Sequence, residues 1–568
     1  MSNSEHVLIL SDFNAEMMAG LMSNDVESPA VSAKTGGFGQ VSSVLVNSGH
    51  PAWEDKTAAI VWTHPESVSQ VFVRAKLMES VDHAEALREV DKFCDEIEAA
   101  SSRVQTMLVT TWSLPDRSRG YGMLDFRQNL GIRSLLASMN QRLAERLGSH
   151  PGIFLLDSSP WLSASGAYDP KMWYLAKVPF SKDVFKAAVK DVKAALRGMK
   201  GLARKVVICD LDDTLWGGIV GEVGWENLRL GGHDPIGEAL VDFQKQLKAL
   251  TRRGVILAIV SKNTEEIALE AIESHPEMVL RKADFAGWRI NWTDKAQNIA
   301  DLMKELNLGI NSAVFLDDNP VERARVAEAL PEVLVVDMPK DKMLYPQTLA
   351  QLDCFDTPTL SEEDRKRAEM YQLERERRAA QQQADDVGSM DEWLHSLEMS
   401  VQIEPLQEAN QQRIGQLLNK TNQMNLSTRR MSESELVEWA SAPNRGLWGF
   451  RVADKFGDAG LTGIASCEID GETAEIVDFI LSCRVMGRRV EETMVHHVVG
   501  FASQNGVKKI KARYQPTAKN APCLKFWRQS GFEELENETF AWDCSNPYPQ
   551  HEAIELKILE ATETIPGK

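Results

Sequence analysis

Apolar positions along the chain fall into short, nearly continuous runs separated by longer amphipathic stretches, the pattern of strands alternating with helices. A first block, residues 1–199, opens with a strand over 6–10. It continues with a helix over 82–100, a strand over 105–110, a helix over 133–147 and a strand over 153–156. That order predicts a parallel α/β sheet. A second block, 200–355, starts with a strand over 205–211 whose unbroken apolar character suits a parallel strand buried on both faces. Helices over 236–252, 264–273 and 295–306 interleave with strands over 255–260 and 313–316, predicting a second, doubly wound α/β domain. Residues 356–390 form a linker, and its charged stretch 361–384 reads as a solvated connecting helix. The third block, 391–568, places strands over 474–481 and 509–513 among helices over 490–503 and 521–530.

Composition adds limits to this picture. The 568 residues are 43% apolar and 26% charged, ordinary for chains with packed cores. A net charge of −20 argues against a nucleic-acid binder held by phosphate contacts. No run approaches the roughly 18 apolar residues that span a membrane. The short apolar stretch after His6 reads as a first strand rather than a signal peptide. Seven scattered cysteines without a C-x-x-C pair fit free thiols in a reducing compartment, so a cytoplasmic location is expected.

Candidate chemistry gathers at the predicted strand ends of the second block, where ligands bind in open α/β sheets. The first strand runs into Asp210-Leu211-Asp212-Asp213-Thr214. Two carboxylates two residues apart can share a pocket. With Mg²⁺ between them and a phosphate, one can attack phosphorus while the other protonates the leaving oxygen. The second strand ends in Ser261-Lys262-Asn263, a hydroxyl and donors for phosphate oxygens. Lys295, opening a helix, can neutralise charge on a phosphoryl group. Asp317-Asp318-Asn319 offers hard oxygen ligands.

These four elements resemble the motifs of the haloacid-dehalogenase superfamily. The resemblance implies Asp210 as nucleophile, Asp212 as general acid–base, and phosphate contacts from Ser261, Lys262, Asn263 and Lys295. It implies Mg²⁺ held by Asp210, Asp317 and the Asp212 carbonyl, with Asp318 close behind. The segments between the motifs leave room for a flap but not for an inserted cap domain, so the site is expected to be open to a large or protein-tethered substrate.

Further stretches, among them Leu211 to Gly218, Asp317 to Arg323, Asn419-Lys420-Thr421-Asn422-Gln423 and Ser482-Cys483-Arg484-Val485, are similar to the FkbH-like family, haloacid-dehalogenase subfamily IIIC. The similarity runs along nearly the whole chain. It implies an enzyme that takes 1,3-bisphosphoglycerate, removes phosphate, and places a glyceryl unit on the phosphopantetheine thiol of an acyl carrier protein. A plain phosphatase with recognition domains, and a carrier-binding scaffold, are the competing readings.

The third block resembles a GCN5-type N-acyltransferase, an α+β fold. Arg484-Val485-Met486-Gly487-Arg488-Arg489 matches most of the R-x-x-G-x-G/A loop whose amides cradle a pantetheine-linked pyrophosphate. Arg489 stands where that pattern has a small residue, and a cation there could instead meet a carrier-protein phosphate or acidic helix. Between Arg484 and Arg528 basic residues outnumber Glu491 and Glu492, which reads equally as a docking surface for an acidic partner or as a solvated face. An acyl-thioester intermediate calls for a thiolate. Cys209 is expected to face the core. Cys483, beside Arg484, is the better candidate, against a packed core thiol as the alternative. The run 419–422 reads as an acyl or carrier contact, or simply as a helix C-terminal turn.

The first block distantly resembles an SGNH hydrolase. Phe13 stands where the serine nucleophile would fall, and Asp169 is followed by Met172 rather than by a histidine three residues on. His83 and Ser113 do not by themselves make a triad. A docking or covering role is expected there instead.

Overall fold

A computed structural model describes residues 4–114, 119–163, 166–232, 234–360, 370–371, 373, 390–421, 424–482, 485–517 and 520–559. The chain forms two compact units, Met1–Lys200 and Gly201–Lys568.

The first unit carries β1 (Glu5–Ser11), β2 (Val31–Thr35), β3 (Ala58–Trp62), β4 (Thr106–Thr110) and β5 (Ile153–Leu156), all parallel, in the order β2-β1-β3-β4-β5. Strand alternation divides its core into two layers. Leu8, Leu10, Ala59, Val61, Met107 and Val109 pack with residues of the helices His83–Ser101 and Ile132–Leu147. Val7, Ile9, Ala58, Ile60 and Leu108 pack on the opposite face with residues of the helix Lys182–Met199. The edge strand β2 was not expected from the pattern, because its Val-Ser-Ala-Lys-Thr sequence buries only Val31.

The second unit holds two sheets. The first comprises β6 (Val206–Cys209), β7 (Ile256–Ser261), β8 (Phe285–Ile290), β9 (Ala313–Leu316) and β10 (Leu334–Val335), parallel, in the order β10-β9-β6-β7-β8. Chain direction across the sheet reverses between β6 and β9, the place where doubly wound sheets open a crevice. Val207 and Cys209 face one core layer, Val206 and Ile208 the other. The protein is thus a multi-domain α/β protein with a doubly wound parallel core sheet. The stretch 361–384, expected as a connecting helix, lies almost wholly outside the described residues.

The second sheet includes β11 (Met399–Pro405), β12 (Met424–Asn425), β13 (Arg445–Asp454), β14 (Gly457–Asp470), β15 (Thr473–Leu481), β16 (Lys509–Arg513), β17 (Glu533–Glu534), β18 (Thr539–Asp543) and β19 (Ile554–Ile558). It is mixed: β15 and β16 are parallel, as are β11 and β19, and the other pairs are antiparallel. Thr473 to Ile476 pair with Lys509 to Ala512, and beyond Ile476 the two strands part. The short β12 enters that gap and pairs with Leu481 and Ile480. The Leu426 N–H donates to the Phe479 carbonyl at 3.1 Å and the Gln515 N–H to the Leu426 carbonyl at 2.9 Å. Among the described residues no helix is long and apolar enough to cross a membrane.

His497, on the helix Val490–Gln504, has its ring 4.8 Å from that of Trp448, with Nε2 enclosed and unpartnered. Burial, then the neighbouring His496, pulls its pKa down to about 4. The unfolded chain takes up a proton at pH values where the folded chain refuses one, so this group costs stability progressively from about pH 6.5 down to 4. The loss is roughly 3 kcal/mol. Urea unfolding at pH 7 and pH 4.5 should show His497→Phe losing less stability on acidification than wild type; equal losses would contradict this.

Candidate active site

Asp210 directly follows β6 and Asp317 directly follows β9, so the fold's crevice opens between two carboxylates. Asp210 is 6% exposed and Asp317 fully buried. The helix Lys295–Glu305 starts at Lys295 because the Asp294 side chain caps it, accepting from Gln297 N at 3.2 Å. That start aims the lysine inward. Its Nζ stands 2.7 Å from Asp317 Oδ2 and 3.0 Å from Asp210 Oδ2. Burial pulls the Lys295 pKa down, but Asp210 and Asp317 outweigh it and hold the ammonium above its usual value. Burial and then Asp210 push the Asp317 carboxyl up to about 6 against the pull of Lys295.

Asp210, Asp317 and Asp318 each offer an oxygen, and the three oxygens lie within 4.8 Å of one another. Lys295 pairs with two of these three carboxylates. Asp210 Oδ1 is enclosed with no hydrogen-bond partner. A hard-oxygen set short of positive charge, with one donor atom unused, fits a small divalent cation. Burial first, then Asp210 and Asp213, raises the Asp318 carboxyl. Thr214 ties that residue to the β6 turn: its hydroxyl accepts from Asp318 N at 3.1 Å.

Asp212 is held by three donors. Trp216 Nε1 at 2.8 Å and Val220 N at 3.1 Å reach Oδ1, and Asn263 Nδ2 reaches Oδ2 at 2.9 Å. Burial raises its pKa, with Asp210 and Asp213 adding to the shift. An oriented carboxyl with a raised pKa suits proton transfer. The turn that follows depends on Asp213, left-handed at φ 57°, whose carboxylate accepts from Gly218 N at 3.0 Å and pairs with Lys342.

The other expected residues divide. Ser261, at the end of β7, is 1% exposed. Asn263 works on Asp212 as described. Lys262 pairs with Glu322, whose carboxylate lies 2.6 Å from its Nζ. Trp216, Thr214 and Arg323 lie in stretches that carried the family resemblance but had no role of their own assigned, and Lys342 was not singled out. Arg323 donates to the Asp317 and Asp318 carbonyls at 2.9 and 2.7 Å and so fixes the turn carrying both. A tryptophan four residues after an aspartate is the one signal in the sequence that could have been read.

In the C-terminal sheet region, Cys483 and Arg484 lie outside the described residues, as do Asn422 and Gln423. Gly487, left-handed at φ 75°, donates its N–H to Glu491 Oε1 at 2.8 Å. Arg488 is 6% exposed and 3.8 Å from Asp454, and Arg489 pairs with Glu492 at 2.7 Å. The basic excess expected between Arg484 and Arg528 is partly cancelled by acids outside that window: Lys508 pairs with Glu472 and Arg528 with Glu534. Asn419 brackets the following loop, donating to the Met431 carbonyl at 2.7 Å. Cys209 is fully buried, and burial pushes its thiol far up. In the first unit, His64 and Asp12 meet at 3.1 Å at the ends of β3 and β1, a pair not anticipated. His83 is buried on its own helix, and Ser113 hydrogen-bonds Ser158.

No protein-family model matches the chain, and no curated protein does. Among solved structures, it is similar to the N-terminal part of protein BF1531 from Bacteroides fragilis, described as containing a phosphatase domain complexed with Mg. Identity is 26% over 63% of this chain and 95% of that one, with a TM-score of 0.58. Two others are spermidine N-acetyltransferase from Vibrio cholerae, in complex with CoA and spermine, and the ribosomal-protein-S18-alanine N-acetyltransferase from Escherichia coli. They are 17% and 11% identical, over 26% and 27% of this chain and 97% of each of theirs, at TM-scores of 0.21 and 0.20. Overlays that loose carry no argument. The first likeness supports an enzyme with a phosphatase-type domain.

Lys295→Met leaves Asp210 and Asp317 facing each other without their cation. In metal-free buffer it should cost about 3 kcal/mol at pH 8 and less at pH 5, where a carboxyl takes up a proton. Asp317→Asn added to it should restore part of the loss. Denaturant unfolding of the single and double variants checks this; an additive double variant would contradict it.

Proposed function

We propose that this protein is a Mg²⁺-dependent phosphatase and acyltransferase of the FkbH-like kind. It removes phosphate from a phosphorylated three-carbon acid such as 1,3-bisphosphoglycerate and loads a glyceryl-type unit onto an acyl carrier protein. One observation carries the phosphatase half: Asp210, Asp317 and Asp318 converge on one point beside Lys295, with an Asp210 oxygen unpartnered.

Mg²⁺ bound by Asp210, Asp317 and Asp318 would offset the charge of a phosphate dianion and so permit a carboxylate to approach it. An Asp210 oxygen then attacks phosphorus, forming an acyl phosphate and expelling the substrate oxygen. Asp212, held by Trp216, Val220 and Asn263, gives that oxygen a proton. A water attacks the acyl phosphate next, passing its proton to Asp212, and inorganic phosphate leaves with Asp210 restored. Lys295 and Ser261 steady the phosphoryl oxygens.

In the acyl half, a thiolate attacks the acyl-phosphate carbonyl of the substrate and phosphate departs with the bonding pair. The thioester passes from Cys483 to the carrier thiol, with Arg484, Gly487, Arg488 and Arg489 near the arm. The first unit, SGNH-like with Phe13 where the nucleophile would be, docks the partner or covers a site.

Incubating the protein with Mg²⁺, 1,3-bisphosphoglycerate and a holo carrier protein and weighing the carrier tests the whole reading. A glyceryl mass gain is expected. Phosphate release without a gain reduces the reading to a plain phosphatase, and neither event leaves only a scaffold. Asp210→Asn, nearly isosteric, should stop phosphate release at unchanged melting temperature. Cys483→Ala should remove the acyl-enzyme adduct from the intact mass while leaving phosphate release from a phosphomonoester in place.

A further inference from the structure

The turn before the helix Val490–Gln504 has the makings of an anion seat. Gly487 and Arg489 are both left-handed, at φ 75° and 65°, and a backbone that winds this way into a helix presents its N–H groups to negative charge. The seat is already taken, by the chain itself. Glu491, in the first turn of that helix, is 3% exposed. Its Oε1 accepts the Gly487 N–H at 2.8 Å, and its Oε2 is enclosed with no partner. The neighbouring cations are engaged with other acids, Arg488 with Asp454 and Arg489 with Glu492. A diphosphate arriving here would meet a buried carboxylate on the amide it needs, and would have to expel it.

We propose that Glu491 sets the thiol specificity of the C-terminal domain by refusing ligands that bring a diphosphate to this turn, coenzyme A among them. A pantetheine arm borne by a carrier protein has a single phosphodiester at the carrier surface and makes no such demand. The inference rests on the acyl-transfer reading for its meaning, but the seat itself can be tested apart from it. Burial, ahead of the Gly487 contact and of Arg488, which both oppose it, lifts the Glu491 pKa to about 7.

The test is isothermal titration calorimetry of the full chain with coenzyme A and, separately, inorganic pyrophosphate. Wild type, Glu491→Ala and Glu491→Ser are compared, with melting curves to confirm folding. Wild type should give no saturable binding of coenzyme A. A folded variant should gain roughly tenfold or more in pyrophosphate affinity. Tight coenzyme A binding by wild type, or a folded variant without the gain, overturns the proposal; should neither variant fold, the wild-type titration with coenzyme A decides. If wild type refuses coenzyme A, a variant gains pyrophosphate and yet no carrier is loaded, the seat assignment stands and the acyl-transfer reading falls.

Discussion

The candidate active site rests on a balance of buried charge. Lys295 is inserted between Asp210 and Asp317, the residues that follow two adjacent parallel strands. Removing both carboxylates from water is costly unless a cation compensates them. One ammonium does so incompletely, because Asp318 makes a third acid. Burial and then Asp210 keep Asp317 raised, and Asp210 Oδ1 is left unpartnered. The site is therefore built to receive positive charge.

Around that balance, the turns are pinned in ways that serve geometry rather than charge. Arg323 grips two successive carbonyls, Thr214 bridges the β6 and β9 turns, and Asp213 closes the flap onto Gly218. Asp212 has no freedom left after Trp216, Val220 and Asn263 have claimed its oxygens. Positioning of this kind is what a nucleophile and a proton donor need in order to act on one phosphoryl group. The C-terminal domain follows the same economy in reverse: there the anion seat at Gly487 is filled from within by Glu491.

Much of this was legible in the sequence because parallel sheets write their strands as unbroken apolar runs. β6 and β9 stood out, and with them Asp210 and Asp317, since the residue after such a run lies at the ligand-binding edge. Elements with little burial or long antiparallel pairing were harder. β2 buries one valine, and β13 and β14 are interrupted by glycines and register shifts that blur alternation. The partner of Lys262 was hidden for a different reason. Spacing puts Lys262 beside Ser261, but only the fold brings Glu322 to its ammonium. The Glu491 contact likewise depends on two left-handed residues, which a sequence containing Arg489 at that place does not announce.

The central claim is that Asp210 takes the phosphoryl group. Borohydride trapping during turnover tests it most directly, since an acyl phosphate on aspartate is reduced to homoserine. The account predicts homoserine at position 210 alone, dependent on both substrate and Mg²⁺. Homoserine at 212 or 317, or none during active phosphate release, would contradict it.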